Sequence, residues 1–167
     1  MSNSAATEEH VVGSKSAGTA LITYCDFECP FCGKAYVVIK RLRAKLGDNM
    51  RFVFRHFPLI DKHVAAQQAA EAAEAAGGQG KFWAMHDMLF EHQTALEPVD
   101  LYRYAEMIDL NLAQFKDDLH GRRYAARVMR DVRSGRRAGV LGTPTFVIDG
   151  HLYTDENSLE RLVSRAA

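Results

Sequence analysis

The order of strand-like and helix-like segments is the feature of this sequence that most limits its fold. Residues 19–24 (TALITY) form a short β-prone run, which predicts a buried strand. Pro30 then suits the first position of a helix, which ends at Gly47. Residues 50–57 (MRFVFRHF) alternate in polarity as a strand does, and Pro58 ends them. Strand, helix and strand in this order predict a βαβ unit with a parallel strand pair.

The middle of the chain shows helical patterns only. Alanine, the best helix former, dominates the first of these helices, over 63–76, and Gly77-Gly78 ends it. Four further helices are predicted over 81–92, 98–110, 111–119 and 122–137. Strand patterns then return over 145–148 and 151–153, joined by an Asp149-Gly150 turn, and a last helix is predicted over 158–164.

These patterns describe an α/β chain with one small sheet and a helical insertion. Its 167 residues suffice for one well-buried domain with an insertion, but not for two large domains. We predict a mobile N-terminal arm over 1–17 and a sheet domain assembled from 18–60 and 139–167. The helical insertion is predicted over 61–138.

Charge and hydropathy argue against several classes of function. Lys plus Arg and Asp plus Glu number 21 each, so no overall field favours nucleic acid or an acidic membrane. Residues 122–137 carry seven arginines and one acid, which we interpret as a solvated helix face rather than an anion-binding surface. No apolar run is long enough to predict membrane insertion. The first 18 residues lack a secretory pattern, which indicates a cytoplasmic protein, or a periplasmic one if a signal has been removed.

Two of the three cysteines lie in the segment Cys29-Pro30-Phe31-Cys32, between a predicted strand and a predicted helix. Cys29 is therefore expected at a helix N-terminus, partly exposed, where backbone N–H groups and the helix dipole lower the pKa of a thiol. Cys29 is thus the candidate attacking thiolate, and the more buried Cys32 the candidate resolving thiol. The alternative is half of a zinc site, which needs two more ligands, and the chain has no second cysteine pair. We predict redox chemistry and no metal at this pair.

Several residues near the dithiol have two interpretations each. Cys25 is either a small buried strand residue or a third redox thiol. Asp26 and Glu28 are either solvated loop acids or charges that raise the pKa of the attacking thiol. His56 and His63 are either ordinary histidines at a strand end or groups close to the active site.

A second motif, Gly142-Thr143-Pro144-Thr145, follows about 110 residues after the dithiol. A Thr-Pro bond that leads into a strand suits a cis peptide, which is rare, although a proline at the start of a strand is common. Together with the dithiol and the helices between them, this motif resembles the DsbA-like branch of the thioredoxin superfamily. The resemblance covers nearly the whole chain and includes the segments 10–13 (HVVG), 54–59 (FRHFPL), 80–83 (GKFW), 85–87 (MHD) and 139–145 (GVLGTPT).

The resemblance implies a thioredoxin-like fold with an all-helical insertion. It implies that Cys29 and Cys32 cycle between dithiol and disulfide, and that Pro144 is cis and faces the pair. Thr143 would then offer backbone groups to an extended substrate, which pairs through its main chain. Substrate contacts are also implied for the two residues between the cysteines, Pro30 and Phe31.

The implied activity is that of a bacterial-type protein-disulfide oxidoreductase, which acts on protein or peptide thiols and disulfides. The cysteines carry the electrons, so no cofactor is expected, and a redox partner protein or glutathione restores the starting state. The direction, as oxidase, isomerase or reductase, depends on the reduction potential. The alternative function is a catalytically quiet redox-sensing or regulatory module, of the type fused to transporters.

Three residues depart from the family pattern. Thr23 stands six residues before the nucleophile, where members often carry an acid, so the proton of the resolving thiol must pass to water or another group. Phe31 stands where strongly oxidising relatives have a histidine that stabilises the thiolate. Cys25 occupies a position that is not usually a cysteine.

Overall fold

A five-stranded mixed sheet lies at the centre of the protein, with strand order β1-β3-β2-β4-β5. The computed structural model describes residues 9–165. The strands are β1 His10–Val12, β2 Thr19–Cys25, β3 Met50–His56, β4 Thr145–Ile148 and β5 His151–Tyr153. β2 and β3 pair in parallel, whereas the other neighbouring strands are antiparallel. Helix α1, Pro30–Leu46, connects β2 to β3, so the predicted βαβ unit is present.

Between β3 and β4 the chain is helical, as the sequence predicts. The inserted helices are α2 Ala66–Gly77, α3 Phe82–Glu91, α4 Pro98–Met107, α5 Leu112–His120 and α6 Ala125–Arg137, and α7 Asn157–Arg165 follows the last strand. The alanines of α2 are buried. Their small methyl side chains let neighbouring helices pack close to α2. Asn111 caps α5 by accepting the Gln114 N–H at 3.0 Å. The predicted α/β class, a small sheet with a helical insertion, is confirmed.

The two faces of β2 contact different helices, because successive strand residues point to opposite sides of a sheet. Leu21 and Cys25 lie in the main apolar core together with Ala35, Ile39 and Leu42 of α1. α7 packs against α1 on the same side. This face of the sheet therefore carries the helix whose first turn holds the dithiol.

The predicted mobile arm over 1–17 is wrong for residues 10–12. These residues form β1, which pairs with the outer edge of β3 and sets Val11 opposite Val53. An edge strand leaves backbone N–H and C=O groups without partners, and β1 supplies partners for those of β3. Three residues are too few to show an alternating pattern, so the local sequence does not reveal this strand. Residues 1–8 of the predicted arm lie outside the described residues.

Helix α6 lies against the other face of the sheet. Val132 of α6 forms a smaller apolar cluster with Tyr24, Phe57 and Val140. A Cβ on Gly135 would lie 2.9 Å from the Phe57 ring and 3.0 Å from the Tyr24 ring, so the missing side chain is what lets α6 approach the sheet. The boundaries of the insertion stay a prediction, but its last helix contacts β3 as well as α2.

Gly135→Val should destabilise the protein, because a branched side chain has no room between α6 and the rings of Phe57 and Tyr24. Overpacking of this kind costs about 1–3 kcal/mol, which exceeds the gain in helix propensity. Urea unfolding followed by circular dichroism measures the free energy of unfolding. Gly18→Val is the control, since nothing lies within 4 Å of a Cβ at Gly18. An equal loss of stability in both variants would contradict the packing argument.

Candidate active site

The dithiol lies where the parallel strands end. β2 ends at Cys25, and Cys29 is the N-cap of α1, with an extended backbone. The Cys29 N–H donates to the Asp26 carbonyl at 3.1 Å, and the Cys29 carbonyl accepts the Gly33 N–H at 3.1 Å. Cys32 stands in the first turn of the helix, and all three cysteines are reduced. The strand–turn–helix context that the sequence predicts for the pair is therefore observed.

The loop before β4 closes over the dithiol. The Thr143–Pro144 peptide bond is cis, and the Cys29 thiol lies 3.6 Å from the Thr143 carbonyl oxygen, which accepts its hydrogen bond. Antiparallel pairing of β4 with β2 sets Thr145 opposite Tyr24, so the preceding loop lies at the end of β2. This pairing brings together two motifs that are separated by 114 residues.

Both cysteines of the pair are buried in this reduced form. Cys29 is 3 % exposed and Cys32 is 0 % exposed. The expectation that Cys29 is partly exposed is therefore wrong here, because the chain segment around Thr143 lies over its sulfur. The expected order, with Cys32 more deeply buried than Cys29, is observed.

The environment raises the pKa of both thiols. For Cys29, the hydrogen bond with the Cys32 thiol is the largest cause and burial the second. For Cys32, burial is the largest cause, and a hydrogen bond with the Cys25 thiol adds to it. The helix N-terminus acts in the opposite direction, through the Cys32 backbone N–H that faces the Cys29 sulfur. The lowered Cys29 pKa that the sequence predicts is thus wrong for the reduced dithiol.

A buried carboxylate lies beside the dithiol. The Asp26 side chain accepts hydrogen bonds from the backbone N–H groups of Glu28 and Leu59, both at 2.8 Å, and contacts His63 Nδ1 at 2.8 Å. Its backbone N–H points to Cys32 Sγ at 3.4 Å. Asp26 is 2 % exposed, so it is not a solvated loop acid, and its partners offset the cost of burying a charge.

His63 is brought to the active site by Asp26. The hydrogen bond with Asp26 raises the pKa of His63, and the charges of a Cys29 thiolate and of Glu28 raise it further. Coupling between two charges is reciprocal, so a protonated His63 also favours the Cys29 thiolate. No local sequence pattern predicts the contact between His63 and Asp26, because 37 residues separate them.

Two more contacts connect the active-site turn to the helical insertion. The Glu28 carboxylate accepts the Ala65 N–H at 2.9 Å. The Gln93 side-chain amide donates to the carbonyl oxygens of Phe27 and Cys29, at 2.7 and 2.9 Å. Sequence reasoning misses Gln93 altogether, since a glutamine after a helix carries no signal of such a contact.

The surroundings of the dithiol expose apolar side chains. Pro30 is exposed, Phe31 is 58 % exposed, and Leu141, two residues before Thr143, is 96 % exposed. Ile60 and Val64 are exposed on the loop that carries His63. A molecule that approaches the buried sulfur of Cys29 therefore meets apolar surface first.

The chain has sequence relatives among sodium–proton antiporters. It is 46 % identical over 154 residues to "Na(+)/H(+) antiporter NhaA 3" of Salinispora tropica, which covers 92 % of this chain. A second antiporter, from Salinispora arenicola, matches at the same identity over the same length. The chain spans only 24 % of each of these relatives. Within residues 9–165, no helix has the length and apolar character needed to cross a membrane.

The fold matches those of several solved structures. A thioredoxin-like oxidoreductase from Silicibacter pomeroyi is 26 % identical, with a TM-score of 0.79 over 95 % of this chain and 91 % of that chain. BdbD from Bacillus subtilis is 20 % identical, with a TM-score of 0.76 over 93 % of each chain. An α-DsbA1 from Wolbachia pipientis is 18 % identical, with a TM-score of 0.75 over 95 % of this chain and 92 % of that chain.

The family model described as "Thioredoxin" matches residues 5–165, which is nearly the whole chain. The sheet, the inserted helices and the structural matches agree with this assignment. The chain therefore belongs to the thioredoxin family, and its thioredoxin-like fold with a helical insertion is that of the DsbA-like members.

Proposed function

We propose that the protein exchanges disulfides with protein or peptide thiols through Cys29 and Cys32. One observation carries the proposal: the Cys29 thiol stands at the N-terminus of α1 and contacts the Thr143 carbonyl. This contact sets a nucleophile beside a backbone segment that an extended polypeptide can pair with. The thiol–disulfide oxidoreductase fold supports this function, and the cysteine roles and the substrates are proposed here.

In the oxidising direction, a substrate thiolate attacks Cys29 Sγ of the Cys29–Cys32 disulfide. The bond between the two cysteines breaks, and Cys32 leaves as a thiolate that takes up a proton. A second substrate thiolate then attacks the substrate sulfur of the mixed disulfide and releases the Cys29 thiolate. The substrate loses two electrons and the dithiol gains them, and glutathione disulfide or a redox partner protein takes them up. The reverse sequence reduces a substrate disulfide.

Polypeptides are the substrate class that the surface supports. Main-chain pairing with Thr143 is independent of substrate sequence. The apolar side chains of Phe31 and Leu141 offer contacts that the side chains of an unfolded segment can make. Pro30, exposed between the cysteines, and Pro144 complete the proposed substrate-contact residues.

The antiporter relatives favour a second candidate function, a redox-sensing module that acts within a larger protein. This chain matches about a quarter of each relative, which is the size of one attached module. Such a module would use the same dithiol as a sensor, without turnover of substrate. Multiple-turnover reduction of insulin by dithiothreitol separates the two functions, because only the oxidoreductase accelerates it.

The cysteine variants test the proposed roles. Cys29→Ser should abolish insulin reduction, because the attacking sulfur is lost. Cys32→Ser should accumulate mixed disulfides through Cys29, because nothing resolves them. Mass spectrometry after non-reducing electrophoresis detects the trapped species, and Cys25→Ser is the control that keeps both proposed sulfurs. Loss of activity in Cys25→Ser, with no trapping by Cys32→Ser, would assign the reaction to a different pair.

Phe31→His should raise the reduction potential of the Cys29–Cys32 couple, because a protonated imidazole stabilises the thiolate of the reduced form. Because Phe31 offers no donor to the thiolate, we expect the wild-type couple to lie between about −270 and −120 mV rather than at the oxidising extreme. Glutathione titration measures the shift, at about 30 mV per tenfold change in equilibrium constant. Val37→His adds a histidine at another exposed site of α1 and should leave the potential unchanged. A shift of Phe31→His to more negative values would contradict this account.

His63→Gln should slow alkylation of Cys29 by iodoacetamide at mildly acidic pH, because the variant lacks the cation that favours the thiolate. A change of one pKa unit alters the thiolate fraction about tenfold, and we expect a decrease of roughly three- to tenfold. Asp26 raises the pKa of His63, so the alkylation rates of wild type and variant differ at pH values below that pKa. The difference in rate disappears as the pH rises through the pKa of His63, because the wild-type imidazole is then uncharged, like the glutamine of the variant. His151→Gln, at an exposed site on β5, is the control. Superimposable profiles for wild type and His63→Gln would exclude the interaction.

A further inference from the structure

A cluster of two histidines and a glutamate lies where β1, β3 and α2 meet. His10 of β1 and His56 at the end of β3 both direct Nε2 to the same carboxylate oxygen, Oε1 of Glu74 in α2, at 2.7 Å each. All three potential ligand atoms lie within 4.8 Å of one another. The residues come from three separate elements and are largely buried. Two imidazole nitrogens and a carboxylate oxygen form a ligand set that divalent transition metals bind in proteins.

The net charge around the cluster is compatible with a bound cation. Arg127 Nε lies 3.9 Å from Glu74 Oε1, which opposes a second positive charge. The same guanidinium contacts Asp131 at 2.6 Å, and Asp131 also accepts the His56 backbone N–H at 3.0 Å. Two carboxylates and one guanidinium therefore give the cluster a net charge of −1 while the histidines are neutral.

A cavity of about 270 Å³ opens beside the cluster, lined in part by His10, Glu74 and Phe82. Gly77 and Gly78 form another part of its wall and contribute no side chains there. The cavity provides both an entry path and space for a fourth ligand. In zinc sites with three protein ligands, that fourth position is taken by water or another small molecule.

We propose that His10, His56 and Glu74 bind one divalent transition metal ion of the zinc type, with the fourth coordination position facing the cavity. Zinc lies about 2.0–2.1 Å from nitrogen and oxygen ligands, so tetrahedral ligands are about 3.3 Å apart. Each nitrogen–oxygen separation then increases by roughly half an ångström from the hydrogen-bonded distance. Binding through Nε2 requires that each neutral imidazole carries its single proton on Nδ1, so the proton that faces Glu74 from Nε2 in the metal-free hydrogen bonds moves to Nδ1. The site does not depend on the dithiol or on its proposed function.

The test uses untagged protein in the oxidised Cys29–Cys32 form, since a reduced dithiol also binds zinc. Isothermal titration with ZnCl₂ should give one equivalent per chain. Co²⁺ should give the visible ligand-field bands of a tetrahedral site, without the near-ultraviolet charge-transfer band of a thiolate ligand. His10→Gln and Glu74→Gln should each weaken zinc binding by at least about 100-fold. His120→Gln, at a surface histidine that contacts Tyr102, is the matched control and should bind as wild type does.

Absence of zinc binding to the oxidised protein would overturn the proposal. Equal affinity of wild type, His10→Gln and Glu74→Gln would overturn it as well, because the ion would then lie elsewhere. Circular dichroism checks that both variants fold. If they do not, the Co²⁺ spectrum of the wild-type protein decides: octahedral or thiolate-type bands reject the site. In that case the three side chains form a hydrogen-bonded contact between β1, β3 and α2 without a metal.

Discussion

The parallel pairing of β2 with β3 is the contact on which the rest of this structure depends. The strands pair over seven residues and end at the same edge of the sheet. A parallel pair requires a crossover connection, and here the connection is α1. Because α1 starts from the end of β2, its N-terminus lies at the edge where both strands finish. Cys29 and Cys32 are therefore placed at that edge by the topology of the sheet, whichever side chains surround them.

The active site is completed by two segments that are distant in the chain. β4 pairs with β2 and brings Thr143 to the sulfur of Cys29. His63 comes from the loop before α2, and Gln93 comes from the segment that follows α3. The insertion thus supplies hydrogen bonds and a titratable group directly at the dithiol.

Buried carboxylates set the position of the insertion against the sheet. Asp26, Glu74 and Asp131 are each nearly inaccessible. Glu74 of α2 and Asp131 of α6 both accept hydrogen bonds from His56 of β3, and Asp26 accepts one from the loop after β3. An ionised carboxylate is costly to bury unless donors surround it, so displacing one of these helices would leave a charge without partners. The polar contacts therefore favour one position of α2 and α6 against β3.

The sequence by itself determined the order of the elements from residue 19 onward, most of their bounds and the place of the dithiol at a helix N-terminus. These features follow from local patterns: the alternation in 50–57, the alanines of α2, and Pro30 directly after Cys29. The DsbA-like resemblance came from motifs that are likewise readable in the chain. Only the tertiary structure decided that residues 10–12 form a strand, that Cys29 is buried and its pKa raised, and that His63 meets Asp26. The physical reason is that burial and hydrogen-bond partners depend on contacts between distant residues. A local pattern predicts which element a residue belongs to, but not which other element packs against that residue.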